Sequence, residues 1–208
     1  MLGRKWSRRG WRKNSVKDNE IHPAIRILRR TTRGWMTPYV TELAQHSRDP
    51  FRVLISTILS LRTKDAVTAL ASENLFALAS TPHAILKLTP RRIEKAIYPV
   101  GFYRIKARNI LQVCRVLVER YKCHVPDDID ALIALPGVGR KTANLVVTLG
   151  FGKPGICVDT HVHRITNRWG YVKTKTPEQT EMALREKLPR QYWIEINDEL
   201  VALGQNIC

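Results

Sequence analysis

Leu135-Pro136-Gly137-Val138-Gly139-Arg140-Lys141-Thr142 is the stretch that decides how this chain folds and what it holds. Two glycines flank one apolar residue, after a proline and before a run, Lys141 to Leu149, that reads as a helix. Glycine takes a positive φ at little cost, so Gly137 and Gly139 permit a very tight turn. Lacking a Cβ, they also leave backbone N–H groups uncovered. The orphan amides and the positive dipole end of the following helix face the same loop. Together these make an anion site built mostly of backbone and suited to one phosphate.

Two nucleotide-binding motifs are excluded. A P-loop needs GxxxxGK(S/T) after a strand. Here Arg140 precedes Lys141, no glycine occupies the earlier position, and the preceding segment, Asp127 to Ala134, reads as helical. The dinucleotide pattern GxGxxG fails because Thr142 stands in place of its last glycine. What remains is helix, tight glycine turn, helix. Such a turn grips one phosphate without reading sequence.

The charge balance indicates whose phosphate. The chain has 208 residues, 44 % of them hydrophobic, and a formal net charge of +17. Its length suits one large domain or two small lobes. A like-charge excess of this size works against compaction and points to a polyanion, most often nucleic acid. No run of about 18 apolar residues suggests a membrane span. The basic N-terminus lacks the apolar stretch of a signal peptide, so an intracellular protein is expected. The four cysteines, Cys114, Cys123, Cys157 and Cys208, form no CxxC pair, and a reducing compartment argues against disulfides.

Outward from the turn, the chain reads as helices throughout, with no clean period-two segment. Residues 1–19 carry Arg4, Lys5, Arg8, Arg9, Arg12, Lys13 and Lys17 around Trp6 and Trp11, and are expected to form a disordered basic arm. Helices are expected over Ile21 to Arg30 and Pro38 to Gln45. Asp49 as N-cap and Pro50 as first helical residue open a third. Further helices are expected over Thr63 to Ala79, after Pro82 and after Pro90. Tyr103 to Tyr121 is the clearest, with Ala107, Ile110, Leu111, Cys114, Leu117, Val118 and Tyr121 at helical spacing. Beyond the turn, helices are expected from Asp159 to about Trp169, from Pro177, and from about Arg190 to Ala202. The fold class is therefore all-α.

Two side chains near the turn are candidates for chemistry. Lys141 lies in a first helical turn, where the dipole opposes its charge, and beside Arg140; both effects favour a neutral amine able to form a Schiff base. Asp159 precedes a helix and suits an N-cap. If the loop Gly150–Cys157 folds that helix back, Asp159 also faces Lys141. His161 and His163 are two apart, point to different helix faces and make a poor metal pair; they read as structural or phosphate-contacting.

At these residues the chain resembles the endonuclease III family of DNA glycosylases, in the helix–hairpin–helix Gly/Pro–Asp superfamily. LPGVGRKTAN followed by VDTHVHRITNR carries the likeness, with Asp49-Pro50-Phe51 and Gly101-Phe102-Tyr103-x-x-Lys106-Ala107; it extends from about Pro23 to Cys208. The resemblance implies a two-lobed helical glycosylase fold with its active-site cleft between the lobes. One lobe is residues 43–153, a six-helix barrel domain with the helix–hairpin–helix at 127–150. The other is 20–42 plus 154–208. It implies a bifunctional glycosylase and abasic-site lyase of base excision repair, removing oxidised pyrimidines from double-stranded DNA as a monomer. If the source is prokaryotic, it acts in the cytoplasm at the nucleoid.

By position, Lys141 matches the family's nucleophile and Asp159 its essential carboxylate. Gly137, Val138, Gly139 and Arg140 match the DNA-gripping hairpin, and backbone carbonyls around Leu135 and Val138 match a monovalent-cation site. Phe102 falls at a wedge position often held by leucine. Arg62 falls where the best-known members carry a glutamine that fills the hole left by a flipped base. Asp65 matches a position near the mouth of the active site, and His161 joins the DNA-contacting set. Lys141 separates the chain from the adenine and alkyl-base branches. Relatives usually hold a 4Fe–4S cluster on four cysteines spaced C-x6-C-x2-C-x5-C. Cys208 sits at the first of these positions and the others are absent, which favours a truncated sequence over a lost cluster; this chain as given cannot assemble the cluster. Two alternatives stand beside the leading function: a non-catalytic helix–hairpin–helix DNA-binding protein and a monofunctional mismatch or uracil glycosylase, the latter weakened by Lys141.

Overall fold

Helix starts are written into the sequence by one repeated device, a capping side chain followed by proline. Asp49 caps α3 (Pro50–Ser60), accepting from the Phe51 and Arg52 amides at 2.9 and 3.3 Å. Thr81, Thr89 and Thr176 cap the helices that begin at Pro82, Pro90 and Pro177. In each case the proline occupies a position whose N–H has no partner in a helix, and its fixed φ suits the first turn.

The computed structural model describes residues 15–35 and 37–207, and among them there are helices and connections but no strand. In order, α1 is Ile21–Thr32, α2 Tyr39–Ser47, then α3, α4 Asp65–Leu78, α5 Pro82–Leu86, α6 Pro90–Ile97 and α7 Tyr103–Tyr121. They continue with α8 Ile129–Ile133, α9 Arg140–Leu145, α10 Thr160–Arg168, α11 Pro177–Lys187 and α12 Ile196–Asn206.

The chain divides into two compact units, Thr37–Gly155 and the remainder, Met1–Met36 with Ile156–Cys208. In the first unit α3 is the axis. Phe51 and every residue from Val53 to Leu59 are buried, so the helix is enclosed nearly all round, as its apolar run requires. Leu75, Ile85, Ile93, Ile97, Ile110, Val113, Leu117 and Val147 pack into the same core. Cys114 is part of that core, as expected, with its thiol pushed up to about 12 by burial. All of α2 belongs here: Val40 and Ala44 are buried in this core, and the Tyr39 amide donates to Asp65 at 2.7 Å.

The second unit packs α1, α10, α11 and α12 around Ile21, Ile25, Val162, Ile165, Tyr171, Leu184, Ile196 and Leu200. Residues 15–19, taken from sequence as the end of a disordered arm, are ordered in it. The Val16 amide donates to Trp169 O at 2.8 Å, and Asp18 pairs with Lys187 at 3.2 Å. The rest of the expected arm, residues 1–14, lies outside the described residues.

Several helix limits differ from the sequence expectation by a residue or two, and three of the differences bear on the site or the packing. The helix expected from Thr63 begins at Asp65, because Lys64 is extended and Thr63 serves a neighbouring loop. The helix expected over Lys141–Leu149 changes to a π-helical turn at Val146–Gly150. There Gly150 lies against Pro50 of α3, and the Thr148 hydroxyl donates to the carbonyls of Asn144 and Leu145 at 2.8 and 3.2 Å. The last helix divides into a short 3₁₀ turn, Arg190–Tyr192, and α12, with Trp193 between them anchored through its indole N–H to Leu188 O at 2.8 Å.

Candidate active site

The turn between α8 and α9 is built as the glycine pattern demands. Asp128 caps α8, accepting from the Ala131 amide at 2.9 Å. The Val138 amide donates to Leu135 O at 3.1 Å and closes the turn, while the Leu135 and Val138 side chains are buried beneath it. Gly137 has φ +75°, and a Cβ on it would overlap the Asn109 side chain on α7. Gly139 differs. Its φ is −95°, it is the N-cap of α9, and nothing lies within 4 Å of where its Cβ would stand. One glycine is required by the fold, and the other keeps a surface open beside the first amides of a helix. Each carbonyl oxygen has two lone pairs, so the Leu135 carbonyl that closes the turn retains capacity for a cation of the kind expected there.

Lys141, half-buried, is the second residue of α9. Behind it Thr142, Ala143 and Asn144 are buried, which fixes the rotation of this short helix. Asn144 donates to Arg140 O at 3.2 Å. The chain leaving the π turn comes back against the same helix, and a Cβ on Gly155 would stand 2.9 Å from Thr148 Cγ2 and 3.2 Å from Asn144 Oδ1.

Asp159 is the N-cap of α10 in the second unit, accepting from the His161 and Val162 amides at 2.8 and 2.9 Å. Both bonds fall on Oδ1, so capping engages one carboxylate oxygen. The His161 ring lies against the backbone of α12, where a Cβ on Gly204 would overlap it, and Arg164 reaches its Nδ1 at 3.1 Å. His163 bonds the Thr180 hydroxyl at 2.6 Å. Both histidines are thus engaged in helix packing.

A second cluster forms within the first unit where the loop after α3 meets the start of α7. Arg62 has φ +53° and Phe102 φ +58°, left-handed conformations that residues with a Cβ rarely adopt. The Arg62 guanidinium lies 5.8 Å from the Phe102 ring centroid. Phe102 is 56 % exposed, with Tyr98 and Ile105 also exposed nearby in sequence. Asp65, expected at a DNA-facing position, holds the Tyr39 amide at the start of α2, and burial raises its carboxyl above the usual range. Beneath the cluster, the Lys106 ammonium is buried and donates to Leu59 O at 2.8 Å, Leu61 O at 2.5 Å and Thr63 Oγ1 at 3.2 Å.

With this geometry in place, comparison with known proteins is specific. Residues 55–190 match the family described as HhH-GPD superfamily base excision DNA repair protein. Endonuclease III of Thermotoga maritima is 52 % identical over 160 residues, 77 % of this chain and 75 % of that protein. This chain belongs to the endonuclease III family of the HhH-GPD superfamily. Endonuclease III of Escherichia coli is 40 % identical over 159 residues, 76 % of this chain and 75 % of that one. Among solved structures, a trapped endonuclease III–DNA covalent intermediate superposes with a TM-score of 0.81 at 32 % identity, covering 91 % of this chain and 87 % of that one. The all-helical fold expected from sequence is the fold of the endonuclease III structures.

Endonuclease III proteins typically carry a 4Fe–4S cluster. The described residues do not fit one. Cys114 is a core residue of the first unit, Cys157 is buried in the second, and no three His, Cys, Asp or Glu side chains converge among the described residues. Cys208 lies outside them. Among the described residues no helix is long and apolar enough to cross a membrane.

Sequence reasoning passed over Asn109 and gave Lys106 no role beyond its place in a family motif. For Lys106 the signal was present: it shares the helical phase of Ile110, Val113 and Leu117, an apolar face where a lysine needs partners. Asn109 had no such signal, because its importance comes from the Gly137 backbone on a distant segment.

Proposed function

We propose that this chain, as an endonuclease III, is a bifunctional DNA glycosylase and abasic-site lyase that removes oxidised pyrimidines from duplex DNA. The observation that carries the reading is the placement of Lys141 in the first turn of the helix that follows an open glycine turn. A phosphate held at Gly139 sets the register of one strand, and the lysine stands two residues further on, within the first turn of α9. The trapped covalent complex solved for a similar endonuclease III supports the same chemistry.

The target nucleotide leaves the stack, because C1′ is inaccessible inside the duplex. The Lys141 amine attacks C1′ as the glycosidic bond breaks and the damaged base departs with the bonding electron pair. Asp159 serves as the carboxylate partner, taking the proton released or stabilising positive charge on the sugar. The sugar ring opens to a protonated Schiff base on Lys141. Loss of a C2′ proton then expels the 3′ phosphate by β-elimination, and water hydrolyses the imine to free the lysine. Gly137, Val138, Gly139 and Arg140 hold the backbone, while Arg62 and Phe102 enter the space left in the duplex.

Borohydride trapping on a duplex with an abasic site tests this. Wild-type protein should form a covalent adduct, and Lys141→Ala should bind the duplex without forming one. Folded wild-type protein that gives no adduct would refute the lyase activity.

A further inference from the structure

We infer that Lys106 is a positioning residue that locks Arg62 and Phe102 into one preformed unit for opening the duplex. The inference rests on the glycosylase reading above and concerns how the base is extruded. Arg62 follows α3 and Phe102 precedes α7, on segments about forty residues apart in sequence, and both have left-handed backbones. Such conformations persist only where surrounding structure imposes them, and they gather at functional sites. The imposing structure is visible. The Lys106 ammonium spans the end of α3 and the following loop through Leu59 O and Leu61 O, and reaches the Thr63 hydroxyl. That same hydroxyl accepts the Gly101 amide at 3.1 Å. Gly101 completes the contact, since a Cβ on it would stand 2.5 Å from Arg62 O. The Lys106 amide makes the ordinary first-turn bond of α7 to Phe102 O at 3.0 Å, and the lysine side chain ties that turn to the loop carrying Arg62.

The arrangement caps the orphan carbonyls of α3 with a cation, which suits the helix dipole. A cap of that kind does not by itself call for an exposed phenylalanine on a left-handed backbone beside an exposed arginine. Apolar wedges between base steps and cations at the opened site are what an extruding protein must present, and presenting them already formed avoids ordering two loops during each opening. Burial moves the lysine pKa down to about 8, so its charge is kept at neutral pH in contact with the oxygens it bridges.

The test separates opening from bond chemistry. Single-turnover excision is measured on a duplex with one oxidised pyrimidine, with 2-aminopurine opposite the lesion reporting opening, and trapping is measured on a preformed abasic site, where no base is extruded. Lys106→Met should slow excision and the 2-aminopurine phase by about 10- to 100-fold, the range for a group displaced by about 1 Å. Its adduct formation at the abasic site should stay within about threefold of wild type. Thr63→Val, which removes the shared hydroxyl and keeps a side chain of nearly the same shape, should show the same split more weakly, and Thr63→Ser should restore it. If Lys106→Met does not fold, the Thr63 pair decides. Equal losses on both substrates, unchanged excision, or identical behaviour of Thr63→Val and Thr63→Ser would overturn the inference. Absence of any adduct with wild-type protein would instead overturn the lyase reading.

Discussion

Gly137 and Gly139 look interchangeable in the sequence, and the structure assigns them opposite sensitivities. Alanine at 139 meets nothing within 4 Å, and its backbone at φ −95° and ψ 174° suits any residue. As an N-cap, alanine is worse than glycine by about 1 kcal/mol, while the reduced freedom of the unfolded chain returns about 0.4–1 kcal/mol. The two nearly offset, so Tm should move by less than about 4 °C for a chain of this size. Binding should change far more. The new methyl occupies the open surface beside the first amides of α9, where a phosphate oxygen would sit. Losing one hydrogen bond to a charged oxygen costs about 1.5–3 kcal/mol, or roughly 10- to 150-fold in affinity. Because the turn grips backbone and not base, the loss should be the same on undamaged duplex and on a duplex with a stable abasic analogue. Alanine at 137 reverses the pattern. Its φ of +75° costs about 1–2 kcal/mol, and the overlap with Asn109 adds about 1–2 more, giving a fall in Tm on the order of 10 °C. Asn109→Ala in the same chain should recover the second part only. Circular-dichroism melting and fluorescence anisotropy on the two duplexes measure both quantities. A folded Gly139→Ala protein that binds both duplexes as tightly as wild type would show that the open surface is not where phosphate sits.

Asp159→Asn separates capping from chemistry. Asparagine caps as well as aspartate, so Tm should hold within about 2 °C, while single-turnover excision falls by about 100-fold or more; retained turnover would leave Asp159 as a cap alone. Lys106 also predicts a pH dependence of stability. Its folded pKa of about 8 lies below the unfolded value of 10.5, so between these limits the unfolded chain binds more protons and this group's contribution to stability rises with pH. The stability of wild type relative to Lys106→Met, from urea melts, should therefore be flat below pH 8 and increase from 8 to 10.5; a flat difference throughout would contradict the burial of the charge.

What could be read from the sequence was whatever is encoded locally. The cap-plus-proline starts at Pro50, Pro82, Pro90 and Pro177, the full extent of Tyr103–Tyr121 and the core position of Cys114 each depend on residues within a turn or two of one another. The glycine turn was legible for the same reason, as was the cap at Asp159. The misplaced limits had long-range causes. Thr63 leaves its helix to bond Gly101. The helix after the turn becomes π-helical where Gly150 lies against Pro50, so close that a Cβ on the glycine would stand 3.1 Å from Pro50 Cα.

The same distinction explains why Lys106 reads in sequence as one more charge on a basic chain. A lysine on an apolar helical face has two outcomes: its stem lies along the core with the ammonium in water, or the ammonium itself is buried against oxygens. The sequence of α7 alone does not choose between them, because the oxygens belong to Leu59, Leu61 and Thr63 on another segment. Those oxygens are available because α3 ends there and its last carbonyls need partners. A helix terminus therefore supplies the acceptors, a buried lysine joins them to α7, and the two left-handed residues are held at the surface by that junction. Substitutions at Arg62 or Phe102 remove a tip and leave the junction intact. Substitution at Lys106 leaves both tips chemically unchanged and removes the side-chain tie between the segments that carry them, which is why excision from a paired duplex, and not adduct formation at an abasic site, is the quantity that should respond.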